Sequence, residues 1–480
     1  MALRTYAFGA AALSAARMFQ LAASFAAVPV LTRMLPPSEF GVVALALAVT
    51  SFMLYLGDAG LAKSLVRTDA KDQDTWSSVY WATLLFTGVL SLILLVLAWP
   101  TAWFFNEPRL VAMMAALAVL PLTQGAMAAP TAELTKHEKF VTLAASELIS
   151  AIVGVVIALV MAFKGFGAWA LVMQNVALWV VKGAILVGAS KFRPRVVFTF
   201  NRLDEHLVFA RDTLGFAITS FFSRQTDSLV VGKLLGTAAL GLYSIAFRIM
   251  SLPAYLVGGA VQSALFPKFV HLRDDLPRLR QVVLTSTTAQ AAFVFPGMAA
   301  TAVAGHAFFD LLLSPRWASA AIIFTLMAPG GAIQTVTNMN GVLLQAIGRT
   351  GARLRLTIEY AIIWVIAALL LSLISLQAVA FGFSALCLLY TPRLLSIYLT
   401  PIGCTMREYA KALMWPTLLS LAIVGVHLSF VTLFHPGALH EVPQAGVELL
   451  AAYAVYVGFT WRRLKQDIAD MRVIFAQSQT

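Results

Sequence analysis

The chain has 480 residues, of which 60% are hydrophobic and only 12% charged, with a formal net charge of +12. A soluble domain carries about 25% charged residues, so the composition excludes an ordinary soluble enzyme and points to an integral membrane protein. The two cysteines, Cys387 and Cys404, suggest neither a disulfide framework nor a metal site.

Apolar runs long enough to cross a hydrocarbon core recur along the whole chain. In chain order they predict spans near 8–31, 40–57, 77–98, 110–129, 142–163, 168–189, 211–232, 239–263, 282–305, 318–345, 356–375, 378–399, 411–434 and 445–461. Arg4 before an alanine-rich stretch resembles a signal peptide, but Arg17 interrupts the apolar region, and the stretch reads as the first span. No room is left for a separate soluble domain. The expected fold is all-α, with about 14 transmembrane helices.

The turn between spans one and two returns 200 residues later. Arg33, Leu35, Gly41, Ala46 and Ser51 match Lys233, Leu235, Gly241, Ala246 and Ser251 in register. Farther along, Asn106-Glu107-Pro108-Arg109 opens span four and Ser314-Pro315-Arg316-Trp317 opens span ten. Glu147 lies early in span five and Glu359 early in span eleven. Each half is therefore six helices, and an even count makes the halves parallel repeats of the kind that place a transport site between them. The expected organisation is an N-terminal lobe over 1–200, a C-terminal lobe over 201–400, and two extra helices with a tail over 401–480.

The basic residues set the orientation. Arg33, Arg109, Lys164, Lys233 and Arg316 fall on one side, and Arg17, Lys182, Arg224 and Arg248 fall inside spans; the rest of the 34 lysines and arginines fall on the other side. The positive-inside rule makes that richer side cytoplasmic, with both termini on it. The net charge is then a topological signal, and nucleic acid is not an expected partner.

Charges inside spans oppose insertion and usually mark a pathway. Arg224 and Asp227 in span seven are three residues apart, so they share a flank of the helix. Two readings stand: a self-neutralising ion pair, or an anion contact at Arg224 with Asp227 as orienting partner or titratable coupling group. Arg17, with Gln20 one turn on, reads as an anion contact or as a side chain snorkelling to the inner face. Arg248 reads as an anion contact or as a cross-span partner of Asp227, which would provide charge compensation. Lys182 reads as snorkelling, and Glu147 and Glu359 as carboxylates favoured at helix starts. Asn338, Asn340 and Gln345, with Gln174 and Asn175, suit either sugar hydroxyls or hydrogen bonds between helices. The embedded cations outnumber the embedded acids, and an arginine fork matches phosphate oxygens in pairs. A phosphate- or carboxylate-bearing substrate is expected.

Catalytic signatures are weak. The seven histidines show no metal-ligand spacing, no Walker lysine motif appears, and the expected outer loops are short. The chain reads as a non-enzyme without a cofactor.

Several segments together resemble one family: LTRMLPPSEFGVVALA (Leu31–Ala46), LGDAGLAKSLVRTD (Leu56–Asp69), GFGAWALVMQ (Gly165–Gln174), RQTDSLVVGKLLGTAALGLYSIAFRI (Arg224–Ile249) and LLSPRWASA (Leu312–Ala320). Over about residues 8–400 the chain resembles polysaccharide or O-unit flippases of the Wzx type, in the polysaccharide-transport branch of the MOP exporter superfamily. The resemblance implies fourteen helices with two six-helix lobes in a V. It implies movement of an undecaprenyl-diphosphate-linked oligosaccharide from the cytoplasmic to the outer leaflet by alternating access. The expected location is a bacterial inner membrane, with polysaccharide polymerase and export machinery as further partners. It also implies that Arg17, Arg224 and Arg248 suit an arginine-lined diphosphate cavity by type. The rival readings are a drug or metabolite antiporter of the same superfamily, a membrane polymerase or ligase, and a scaffold for glycosyltransferases.

Overall fold

The computed structural model describes residues 2–58, 65, 72–199, 204–255 and 259–434. These residues are mostly helical, with no strand among them. Eleven helical segments among them are long and apolar enough to cross a membrane. The protein is a multi-pass membrane protein.

Three expected spans are absent from that eleven, each for a definite reason. The helix of span seven is present but is too polar on average for an apolar span, with Ser223, Arg224, Gln225, Thr226, Asp227 and Ser228 in one run. Over span eight one helix ends at Pro253 and another begins at Gly259, each short. The expected span at 445–461, the tail, His435 and His440 lie outside the described residues, as does most of the Ala59–Lys71 stretch of the second motif.

The chain divides into two compact units, Met1–Ser244 and Ile245–Thr480. In the first, the helices are α1 (Ala2–Met34), α2 (Pro37–Gly57), α3 (Gln73–Phe105), α4 (Arg109–Leu117), α5 (Val119–Lys136), α6 (Phe140–Phe163), α7 (Trp169–Ala189) and α8 (Asp204–Leu234), with α9 (Gly236–Pro253) crossing into the second. Proline at the start of α2 needs no amide partner there. The Asp72 side chain caps α3 by accepting from the Thr75 amide. Asn106 ends α3 in the left-handed conformation.

One end of the first unit is tied by a small polar cluster. Glu39 at the head of α2 accepts from the Ala168 amide at 2.6 Å and pairs with Arg109 at 2.7 Å. Arg109 also grips Glu107 through Nε at 2.8 Å. Lys233 lies over the Phe104 ring and donates to the Phe104 carbonyl. The turns α1–α2, α3–α4, α6–α7 and α8–α9 thus meet at the same end, as the charge pattern requires. The Arg109 guanidinium holds the Glu107 carboxyl below the usual carboxylate range. A lowered folded value adds stability above the unfolded value and loses it as pH falls through the folded one. Glu107→Gln is therefore expected to remove the part of the acid-side stability loss that comes from this clamp. Arg109 is 44% exposed and solvent screens the pair, so the effect is small, about 0–1 kcal/mol; thermal unfolding in detergent between pH 3 and 6 measures it.

The opposite end carries the connection from α7 to α8. Its extended backbone runs along the start of α3: Gln73 donates to the Arg193 carbonyl, Trp81 to the Arg195 carbonyl, and the Arg195 amide to Ser77. Phe192 is buried beside Trp76, Val79 and Ala132.

The repeated turn makes an internal contact of its own. A Cβ on Gly41 would strike the Thr237 carbonyl, and a Cβ on Gly241 would strike the Pro37 carbonyl. Pro37 and Thr237 are themselves 200 residues apart, so the two hairpins meet reciprocally, backbone to backbone, where only glycine fits.

In the second unit the helices are α10 (Gly259–His271), α11 (Leu276–Val303), α12 (Gly305–Leu312), α13 (Ala318–Ala346), α14 (Thr350–Ser372), α15 (Leu376–Leu399) and α16 (Met406–Phe434). α13 is the most buried of its described spans. The Gly330 amide of α13 donates to Ser384 of α15 at 3.0 Å, which fixes a close crossing. Arg280 of α11 pairs with Glu408 and donates to the Gly403 carbonyl, which ties the α15–α16 turn to α11.

Candidate functional site

The first unit holds a three-residue charge cluster inside its helices. Lys182 Nζ of α7 lies 2.8 Å from Glu147 Oε1 of α6, and Arg17 Nε of α1 lies 3.8 Å from the same oxygen. The Glu147 side chain is 8% exposed, Lys182 23% and Arg17 65%. Depth is shared. Glu147 follows Phe140 by seven residues, and Lys182 precedes Ala189 by seven. At 1.5 Å per residue that is about 10 Å from the matching end of each helix. Two turns farther in, Gly154 lets α6 approach the Gln174 carbonyl of α7, which holds the two helices close enough for the pair. Lys182 therefore makes an interhelical ion pair where snorkelling was expected, and Glu147 is a buried counter-ion where a helix-start carboxylate was expected. Gln20 is half-buried on α1.

Asp227 sits in a different setting. It is buried in α8; Oδ2 accepts from the Tyr243 hydroxyl of α9 at 2.7 Å, and Oδ1 accepts from the Ser228 amide at 2.8 Å. Both partners are neutral. Arg224 is exposed and makes no ion pair with Asp227. Three residues advance a helix by 300°, so the two side chains stand about 60° apart, enough here to put one inside and the other on the surface. The private ion pair is not formed in this structure. Arg248 is half-buried and belongs to the second unit.

The second unit repeats the acid–base pairing. Glu359 of α14 lies 3.6 Å from Arg393 of α15 and accepts from the Tyr390 hydroxyl at 3.2 Å. This is the counterpart of Glu147 and Lys182: an acid on the fifth helix of the repeat and a base on the sixth. It is more open, with Glu359 33% and Arg393 56% exposed.

The amides separate. Asn340 is fully buried and its Nδ2 donates to Tyr409 of α16 at 3.1 Å, while its Oδ1 has no hydrogen-bond partner among the described residues. Of its two readings, the structure forms the hydrogen bond between helices. Asn338 is exposed on α13, and Gln174 is half-buried on α7. Among the described residues, no cluster of three or more histidine, cysteine, aspartate or glutamate side chains could hold a metal ion.

Paired charges inside the spans of a multi-pass helical protein are the kind that mark a pathway through the membrane. Residues 30–322 match the model of a family described as polysaccharide biosynthesis proteins, and the chain belongs to that family. The succinoglycan biosynthesis transport protein ExoT of Rhizobium meliloti is 30% identical over 474 residues, covering 93% of this chain and 91% of the relative. The lipopolysaccharide biosynthesis protein WzxC of Escherichia coli is 22% identical over 409 residues, covering 83% and 82%. The lipid II flippase MurJ, in an inward closed conformation, shares the fold with a TM-score of 0.77 at 13% identity, covering 94% of this chain and 99% of that one.

Proposed function

We propose that the protein is a flippase that carries an undecaprenyl-diphosphate-linked oligosaccharide from the cytoplasmic to the outer leaflet of a bacterial inner membrane. The near full-length similarity to a succinoglycan transport protein carries this reading. The embedded cations say what the carrier holds. Arg17 reaches its acid only at 3.8 Å and two-thirds of its side chain stays open, so its guanidinium is free to turn to a ligand. A diphosphate offers the oxygen pairs that a guanidinium fork binds best.

In this mechanism Arg17, Arg224 and Arg248 lower the desolvation cost of the diphosphate. Gln20, Gln174, Asn338 and Asn340 are candidates for the sugar head. The polyprenyl tail stays in lipid. Access alternates between the halves 1–200 and 201–400, and 401–480 is an addition to them. Both termini are cytoplasmic. Asp227, held by Tyr243 and Ser228 without a cation, is the candidate for charge compensation in the empty carrier. The step makes and breaks no covalent bond, so the protein acts as a transporter and not as an enzyme. A polymerase and export machinery act on the delivered units.

The test is complementation of a strain lacking the protein. Arg17→Ala combined with Arg224→Ala and Arg248→Ala is expected to abolish polymer export while the protein inserts normally, and lipid-linked units should accumulate on the cytoplasmic side. Normal export with normal insertion would exclude the diphosphate reading. A drug or metabolite antiporter would instead show ion-coupled efflux of small cations and no glycan phenotype.

A further inference from the structure

We infer that Lys182 and Glu147 form a parking pair that sets how readily Arg17 is released to an anionic head group. The inference rests on the diphosphate reading above and names two residues that reading does not use.

Both cations address one atom, Glu147 Oε1, but unequally: Lys182 at 2.8 Å, within hydrogen-bond distance, and Arg17 at 3.8 Å, beyond it. The carboxylate is buried and fixed between α6 and α7. Lys182 alone neutralises it. Arg17 can therefore leave without stranding a buried negative charge, which is the costly event in breaking a buried pair. Without Lys182, Arg17 becomes the sole counter-ion, and its release would strand Glu147. Lys182 then decides whether Arg17 is a structural counter-ion or a ligand. Lys182 never has to touch the substrate; it is a positioning residue.

The other copy of the pair lacks this device. Glu359 has Arg393 at 3.6 Å, and its second partner is the neutral Tyr390 hydroxyl. Among the described residues the second cation is present only in the first copy, so the hand-over belongs to the first unit. The groups facing Glu147 from the helices packed on it are Arg17 on α1 and Lys182 on α7. The carboxylate of the neighbouring α5, Glu133, is engaged elsewhere by Ser190 and His137.

The experiment titrates undecaprenyl diphosphate against the purified full-length protein in detergent micelles. R17A and K182M are each expected to weaken binding by about tenfold or more, the scale of one lost charge-assisted contact. K182R should stay near the wild type. The double variant K182M/E147Q should recover to within about threefold of the wild type, because no acid remains to hold Arg17. Wild-type affinity in K182M, or a double variant as weak as K182M while R17A is weak, overturns the hand-over and leaves the diphosphate reading standing. Unchanged affinity in R17A takes Arg17 out of the anion site and overturns the hand-over, while the triple variant still decides the diphosphate reading. Should K182M fail to insert, E147Q alone decides: affinity at or above the wild type supports the hand-over, and a tenfold loss overturns it.

Discussion

Gly41→Ala is expected to destabilise the protein by about 1–3 kcal/mol or more, the cost of forcing extra volume into a packed contact. The new methyl would meet the Thr237 carbonyl, which is backbone and has no rotamer through which to yield. Gly241→Ala should cost about the same, because its methyl meets Pro37 at the equivalent place. The two substitutions act on a single helix crossing, so the double variant should lose less than the sum of the single losses. Thermal unfolding of the purified variants in detergent gives the three values. Additive losses would mean that the two contacts are independent and that the reciprocity of the hairpins has no energetic content. Gly215 is the control: it has open space around its missing Cβ and sits inside α8. Alanine there should be neutral or stabilising by up to about 1 kcal/mol.

That contact also shows how far the sequence reads. The 200-residue offset was visible in Arg33–Ser51 and Lys233–Ser251, and it predicts two related hairpins. It does not reveal that they pack on each other through their matched glycines, because a glycine in a turn reads equally well as a turn residue. The embedded charges show a sharper limit. Spacing of three on one helix joined Arg224 to Asp227, yet one points out and the other in. The partners that matter lie across antiparallel hairpins. Asp227 and Tyr243 each stand eight residues from Leu235, and Glu147 and Lys182 stand 17 and 18 residues from Lys164. In an antiparallel helix pair, residues equidistant from the turn share a depth, and that rule finds both pairs from the sequence. Arg17 could not be found so, since α1 is not joined to α6 or α7 by a turn. The fold class, by contrast, followed from composition and the length of apolar runs. Backbone groups in lipid must be satisfied within the segment, which leaves helices as the solution for runs of this kind.

Glu147→Ala and Glu359→Ala should separate widely, although they remove the same residue from matched helices. Glu147 is 8% exposed and has a lysine at 2.8 Å; removing it leaves Lys182 among packed helices with Arg17 close by. Loss of one member of a buried pair costs about 3–5 kcal/mol. The Glu359 partner Arg393 is more than half exposed and can be solvated or turn to the interface once released, so the loss there is that of a surface pair, about 0–1 kcal/mol. Thermal unfolding of both variants in the same detergent decides the matter, with Glu147→Ala showing the larger drop in Tm. Equal losses would mean that burial does not distinguish the two copies, and the first unit would then have no special claim to the anion. A large gap would mean that duplication supplied the same acid and base twice, and that the arginine of α1 with a deeper setting turned one copy into a site.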